Sequence, residues 1–201
     1  MLLKEQINLD ELGILNPLVS DYLSGSAVVE RLYSHHPTIE SIPQVIKAKE
    51  NFSNRKILVE ALQSQYKGLK LSSAAQENLD ALAKENTFTI CTAHQLCLFT
   101  GPSYFIYKIL SAVKLAKDLQ SKYPTYKFVP VYWMGSEDHD FEEISSAMVY
   151  GKPITWQNTD KGAVGSHSLQ GMEASINELA ELLGQQEYAE QLINDLRKFF
   201  S

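Results

Sequence analysis

Two stretches of this chain hold residue types that can do chemistry, Thr92-Ala93-His94-Gln95-Leu96-Cys97-Leu98-Phe99-Thr100-Gly101-Pro102 and Glu137-Asp138-His139-Asp140. In the first, His94 and Gln95 offer hydrogen-bonding groups to a phosphate, carboxylate or hydroxyl, and Gly101 permits close backbone approach to a ligand. Pro102 suits the first turn of a helix. A helix entered there turns free N–H groups and its positive dipole end toward the loop. Tyr104, Tyr107 and Lys108 on its first turns extend the pocket. These residues, with Thr100 and with Glu137 from the second stretch, are the candidate substrate- or nucleotide-binding set. Neither a Walker A pattern nor G-x-G-x-x-G is present, so a polar loop whose histidine satisfies backbone groups is the competing reading.

In the second stretch Glu137, Asp138, Asp140, Glu142 and Glu143 crowd around His139. Like charges at that density cost stability unless a cation, a metal or solvent relieves them. Three uses stay open: holding a substrate ammonium, binding magnesium beside a nucleotide, or forming a carboxylate–histidine base. Zinc fits less well, because no second histidine lies nearby at ligand spacing. Asp138, His139 and Asp140 are therefore the candidate catalytic residues. An acidic first helical turn accounts for Glu142 and Glu143, but not for the group just after an apolar strand.

Other reactive residues carry less. Cys97 has His94 as a nearby base within the first stretch. Cys91 reads as a small buried hydrophobe in a strand, and the spacing of the two cysteines fits neither a zinc ribbon nor a redox C-x-x-C. His35 and His36 before Pro37 read as a solvated loop. His167 lies in a mobile glycine- and serine-bearing loop, Gly162 to Ser168, of the kind that closes over sites.

The elements that must position both stretches are strands and one long helix. Phe88-Thr89-Ile90-Cys91-Thr92 is a short β-favouring run, and Phe128-Val129-Pro130-Val131-Tyr132-Trp133-Met134 is a second. Pro130 is awkward in a central strand. Between the strands, Ile106, Ile109, Leu110 and Val113 recur at helical spacing as a buried side, with Lys114 and Asp118 one turn apart on the other. The span fits a right-handed βαβ unit. Two polar strand ends flanking one crossover helix make a ligand crevice at the edge of an α/β sheet.

Before Thr87 the chain reads as helical. Asp21 is positioned to cap a segment through Tyr33, with Tyr22, Val28, Val29 and Leu32 on its buried side. Further helices begin at Ser41 or Ile42, at Arg55 and at Ser72-Ser73, the last burying Leu79, Leu82 and Ala83. After Ile144, Ser145 to Tyr150 and Ile154-Thr155-Trp156 read as a hairpin, followed by helices near Glu173–Leu183 and Glu187–Phe200. The expected organisation is a helical segment over 1–86, the βαβ part of the core over 87–150, and an inserted or connective region over 151–201.

At 201 residues, with 44% hydrophobic and 21% charged residues, the chain is long enough for a sizeable core. Its net charge of −6 lacks the footprint of a nucleic-acid binder. No apolar run reaches membrane-spanning length, and Met1-Leu2-Leu3-Lys4-Glu5-Gln6 is no secretory signal, so a cytoplasmic protein is expected. The aromatic pair Phe199-Phe200 at the end, and too few strands for a doubly wound sheet, suggest a chain cut from a longer one.

Thr92-Ala93-His94-Gln95 with Leu98-Phe99-Thr100-Gly101-Pro102, then Tyr107-Lys108 and Ser111-Ala112, resembles the signature of the bacillithiol biosynthesis cysteine-adding enzymes. Pro130-Val131-Tyr132-Trp133 followed by Glu137-Asp138-His139-Asp140-Phe141-Glu142-Glu143-Ile144 is similar to that family's second signature. Ser20-Asp21-Tyr22-Leu23 and the stretch from Arg55 through Leu62 are similar as well, so the resemblance runs from about Leu9 to Ile144. Ala93 and His94 stand where that family usually has glycine and glutamine.

The resemblance implies a Rossmann-like α/β core of the nucleotidyltransferase kind with a parallel sheet, an amino-terminal helical segment, and a dimerising coiled coil that lies outside this chain. The implied activity is ligation of cysteine to glucosaminyl malate, the last amide bond of bacillithiol, in a cytoplasmic homodimer. ATP, with magnesium, is the implied activator of the cysteine carboxyl, by analogy with class I aminoacyl-tRNA synthetases. In that scheme the His94–Pro102 loop cradles phosphates or malate carboxylates, Asp138 or Asp140 holds the substrate amine, and His139 accepts its proton. Two rivals remain: a nucleotidyltransferase-type enzyme acting on another small acid, and a non-catalytic ligand-binding module.

Overall fold

The computed structural model describes residues 9–200, so the amino-terminal Met1–Gln6 stretch and Ser201 lie outside it. The chain divides into two compact units, one up to Leu69 and one from Lys70 onward.

The first unit is helical: α1 (Leu9–Leu12), α2 (Pro17–Ser24), α3 (Ile42–Lys49) and α4 (Arg55–Gln65). Asp21 does not cap a helix but sits inside α2. Asn16 is the cap, its side chain accepting from the Leu18 N–H at 2.9 Å, and Pro17 opens the first turn. Left-handed Gly25 ends α2, far short of Tyr33. Val29 is buried as expected, whereas Val28 and Leu32 are exposed because only a short 3-10 turn, Glu30–Leu32, follows. His36 is no solvated residue: its Nε2 lies 3.1 Å from the Tyr22 carbonyl, and its ring packs near Tyr22 and Tyr33.

The second unit opens with α5 (Ser73–Ala81), capped by the Ser72 hydroxyl on the Ala75 N–H. Leu79 and Leu82 are buried; Ala81 takes the place expected of Ala83, which is exposed. Strand β1 (Thr87–Gln95) then leads through a 3-10 turn at Leu98–Thr100 into α6 (Ser103–Lys122) and strand β2 (Lys127–Gly135). The two strands pair in parallel from Thr87↔Lys127 to Gln95↔Gly135, as the Rossmann-like expectation requires. β2 pairs on one side only among the described residues, the setting in which Pro130 is tolerated.

Helix α6 lies on the sheet face that carries Phe88, Ile90, Thr92 and His94. Its seam runs through Phe105, Ile109, Ala112, Ala116 and Leu119, and the two alanines let helix and sheet close together. Ile106 and Leu110, expected inside, are rotated off that seam and exposed. Cys91 is also exposed, not buried, because it sits on the opposite sheet face, which α6 does not cover. Lys114 and Asp118 form the expected ion pair at 2.7 Å.

Helix α7 (Phe141–Ile144) and an antiparallel hairpin, β3 (Ser146–Val149) and β4 (Lys152–Thr155), come next. Tyr150 and Gly151 both have positive φ, as a two-residue primed turn demands. Helices α8 (Met172–Leu183) and α9 (Ala189–Phe199) complete the unit and share a core with the hairpin around Ile154, Trp156, Ile176 and Leu196. Leu98, from the turn after β1, is buried in that same core and anchors its loop there; such burial contributes roughly 2 kcal/mol. No helix among the described residues is long and apolar enough to cross a membrane.

Candidate functional site

The register places Gln95 beside Gly135, so both polar stretches leave the same edge of the sheet from neighbouring strands. Tyr132 on β2 donates its hydroxyl to the His94 carbonyl at 3.1 Å, tying the two strand ends. Burial pushes the Tyr132 phenol above its ordinary pKa, with Cys97 adding to the effect.

His94 is the most constrained of the candidate residues. Its Nδ1 lies 3.0 Å from the Gln95 carbonyl and its Nε2 3.1 Å from the Tyr104 hydroxyl. The Phe105 ring meets it edge-on, with centroids 5.4 Å apart. Cys97 Sγ lies 3.6 Å from Nδ1, the neighbourhood a nucleophilic thiol would want. Yet burial first, and Glu143 second, push the Cys97 thiol up, so this cysteine is held protonated rather than activated.

The turn after Cys97 is strained. Phe99 and Thr100 both take left-handed backbone, and Gly101 follows at φ 65, ψ −155, a region glycine alone adopts readily. Packing requires the glycine as well: a Cβ on Gly101 would stand 2.7 Å from Cys97 Cβ. Pro102 is the residue before the helix, not within its first turn, and no side chain caps α6. Gln95 Nε2 is buried without a hydrogen-bond partner. An uncapped helix start and an orphaned amide donor fit an anionic group such as a phosphate or carboxylate. Lys108 is exposed and its ammonium donates to the Ala93 carbonyl at the strand end, and Tyr104 and Tyr107 are exposed as well.

In the second stretch, Asp138 accepts the Asp140 N–H at 2.9 Å, and Asp140 caps α7 by accepting the Glu143 N–H at 3.1 Å. Each hydrogen bond engages one carboxylate oxygen. Glu142 and Glu143 occupy the first turn of α7, as a helix start favours. Glu137 and His139 are exposed, and no hydrogen bond among the described residues fixes the His139 ring. Among those residues no three His, Cys, Asp or Glu side chains gather as a metal-binding group.

Sequence reasoning missed the segment that holds this acidic loop. Val164 N–H donates to the Asp138 carbonyl at 2.7 Å, and Gly165 N–H to the Ser136 carbonyl at 2.9 Å. Gly165 is needed there, since a Cβ would fall 2.6 Å from Ser136 Cβ. The Gly162–Ser168 loop, expected to be mobile, is thus clamped. Asp160 closes it by accepting from the Ser168 N–H and Oγ–H at 2.7 and 2.8 Å, which holds its carboxyl below the usual range. His167 packs on Phe141 at 5.3 Å with both ring nitrogens buried and unpartnered. The spacing of Asp160 and Ser168 was the available signal, weak because such bridges have no fixed separation.

The sequence model of the family described as "Bacillithiol biosynthesis BshC, N-terminal Rossmann-like domain" matches residues 2–201. A protein of Flavobacterium johnsoniae is 44% identical over 191 residues, covering 94% of this chain and 35% of its own length. One of Flavobacterium psychrophilum is 43% identical over 196 residues, covering 94% and 37%. One of Bacillus cereus strain B4264 is 29% identical over 184 residues, covering 89% and 33%. All three bear the name "Putative cysteine ligase BshC". The chain spans about a third of the length of these curated relatives.

Proposed function

This chain belongs to the bacillithiol biosynthesis BshC family through its N-terminal Rossmann-like domain, and from that premise we propose that it forms part of a cytoplasmic cysteine ligase. The reaction proposed is amide formation between the cysteine carboxyl and the amine of glucosaminyl malate, in a homodimer of the whole protein. One observation carries it: two polar loops, from Thr92 to Pro102 and from Glu137 to Asp140, leave adjacent parallel strands at one sheet edge. One is rich in anion donors and the other in carboxylates, which suits a substrate pair that presents carboxylates and an amine.

Amide formation needs an activated carboxyl and a neutral amine. ATP with magnesium, when bound, would supply the activation. Gln95, Thr100 and the uncapped start of α6 are the groups that would hold its phosphates, or the malate carboxylates, through backbone and amide donors. Asp138 and Asp140 each keep a carboxylate oxygen outside the turn hydrogen bonds and would hold the substrate ammonium. Glu137 adds negative charge at the same mouth, and Tyr107 supplies an exposed aromatic wall.

The test is product formation by the whole protein from glucosaminyl malate, cysteine and ATP, beside Asp138→Ala and Gln95→Ala variants. Thiol product lost in folded variants supports the reading. A folded wild type that ignores these substrates but adenylates another small acid overturns it in favour of a different ligase. Retained product after loss of both loops' side chains overturns the assignment of the site.

A further inference from the structure

The bracket between Asp160 and Ser168 lies outside both polar stretches, yet the loop it closes touches the acidic stretch at three places. The Val164 N–H donates to the Asp138 carbonyl, and the Gly165 N–H to the Ser136 carbonyl. The His167 ring packs on Phe141, the first residue of α7 and the neighbour of Asp140. We infer that Asp160 is a positioning residue for the amine substrate: through Ser168 it fixes the loop 162–168, and through that loop it sets the placement of the Asp138 and Asp140 carboxylates. This rests on the reading above, in which those two carboxylates hold the substrate ammonium.

The Asp160 carboxylate only accepts, and a single oxygen, Oδ2, takes both the Ser168 N–H and Oγ–H. Asn158 locks the same corner from the other side. Its Oδ1 accepts the Asp160 N–H at 2.6 Å, and its Nδ2 donates to the Ser168 carbonyl at 2.7 Å. Ser168 is thereby held at its N–H, its hydroxyl and its carbonyl, which pins the end of a loop whose two glycines give it little stiffness of its own. The Ser168 N–H first, and its hydroxyl second, hold the Asp160 carboxyl below the usual range, so the bracket is charged and closed near neutral pH.

At the other end of the loop the bonds bear on main chain. With its carbonyl held by Val164, Asp138 gives one carboxylate oxygen to the Asp140 N–H, and Asp140 gives one to the Glu143 N–H. The second oxygen of each is left for a ligand. A shift of the Asp138 main chain moves both carboxylates together, because the Asp138 side chain holds the Asp140 backbone. An ammonium bound between them would register that shift, since a displacement of about 1 Å can cost about 10²-fold in rate.

The experiment compares the whole protein with Asp160→Ala, Asp160→Asn and a control in the same unit, Arg197→Ala. The control cuts the ties from α9 to Glu173 and Asn177 of α8. Hydrogen exchange reads the loop directly: the Val164 and Gly165 amides should exchange about tenfold faster or more in Asp160→Ala. In Asp160→Asn, whose amide oxygen still accepts from Ser168, they should stay near the wild-type rate. In steady-state kinetics Asp160→Ala should lose about 10- to 10²-fold in kcat/KM for glucosaminyl malate, chiefly through KM. KM for ATP should hold, since none of these bonds involves Gln95, Thr100 or the start of α6. Asp160→Asn should recover most of the loss, and Arg197→Ala should show neither effect.

Unchanged exchange in Asp160→Ala means that the bracket does not hold the loop, and overturns the proposal. Faster exchange with an unchanged KM for the amine overturns it too, leaving the bracket a purely structural tie. An equal rise in KM for the amine and for ATP overturns it as a general loosening of the unit. A folded wild type that forms no amide removes the ligase reading and the positioning role with it, an outcome that the exchange data keep distinct from failure of the bracket.

Discussion

Tyr132 and His94 sit on adjacent strands, and the phenol of the first holds the carbonyl of the second at 3.1 Å. Phe105 from the crossover helix packs edge-on against both rings, at 5.4 and 5.5 Å. The strand end that carries the oriented histidine is therefore braced from the sheet and from the helix together. Tyr132→Phe keeps the ring and deletes only the hydrogen bond. It should lower unfolding stability by about 1 kcal/mol, measured by urea titration, with little change in the folded structure.

Gly101→Ala should cost more. The backbone at φ 65, ψ −155 carries a strain of about 1–3 kcal/mol for a residue with a side chain. The new methyl also overlaps Cys97 Cβ. Pairing it with Cys97→Gly removes the overlap but not the strain, so the double variant should recover part of the loss. A thermodynamic cycle over the four proteins separates the two contributions.

The two cysteines should react in a fixed order. Cys91 is exposed, while Cys97 is half-buried and its pKa is raised by burial and by Glu143. Iodoacetamide near neutral pH should label Cys91 first, with Cys97 following only on denaturation, as peptide mass spectrometry would show. Prompt labelling of Cys97 in the folded protein would contradict its protonated state.

Asp160 gives an acid-side dependence of known sign. Its carboxyl is depressed in the folded chain, chiefly by the Ser168 N–H, so its stabilising bonds exist above its unfolded pKa. They are lost as pH falls through the lower, folded value. The Ser168 amide resonance should titrate with a midpoint below the ordinary 3.8, and Asp160→Asn should abolish that titration.

The elements of the second unit were legible because their signals are local. The β-favouring run at Phe88–Thr92, the periodic apolar residues of α6 and the two short hairpin runs either side of Gly151 each fix a structure within a few residues, although the turn itself falls at Tyr150-Gly151, with Lys152 and Pro153 already in β4. What stayed hidden depends on partners distant in sequence. The side of α6 that meets the sheet was decided by Ala112 and Ala116, small residues that allow approach but add little to an apolar stripe. Cys91 looked buried because strand residues usually are, and only the coverage of each sheet face corrects that. In α2 the helix began earlier than expected because Asn16-Pro17 is a stronger start than Asp21. Both chemical stretches were legible as polar strand ends, but the orientation of His94 by Gln95 and Tyr104 was not, since it needs the first turn of α6 folded over β1.

The loop from Ser136 to Asp138 is clamped to Val164 and Gly165 through main-chain hydrogen bonds alone. Side-chain identity at Glu137 and His139 is therefore uncoupled from the shape of the loop that presents them, with Gly165 the one position held by close packing. Such a loop is a modular platform: substitutions at 137 and 139 should leave the scaffold intact. Diversity introduced at those two positions should yield folded proteins at high frequency, which thermal-melt screening of the variants would show.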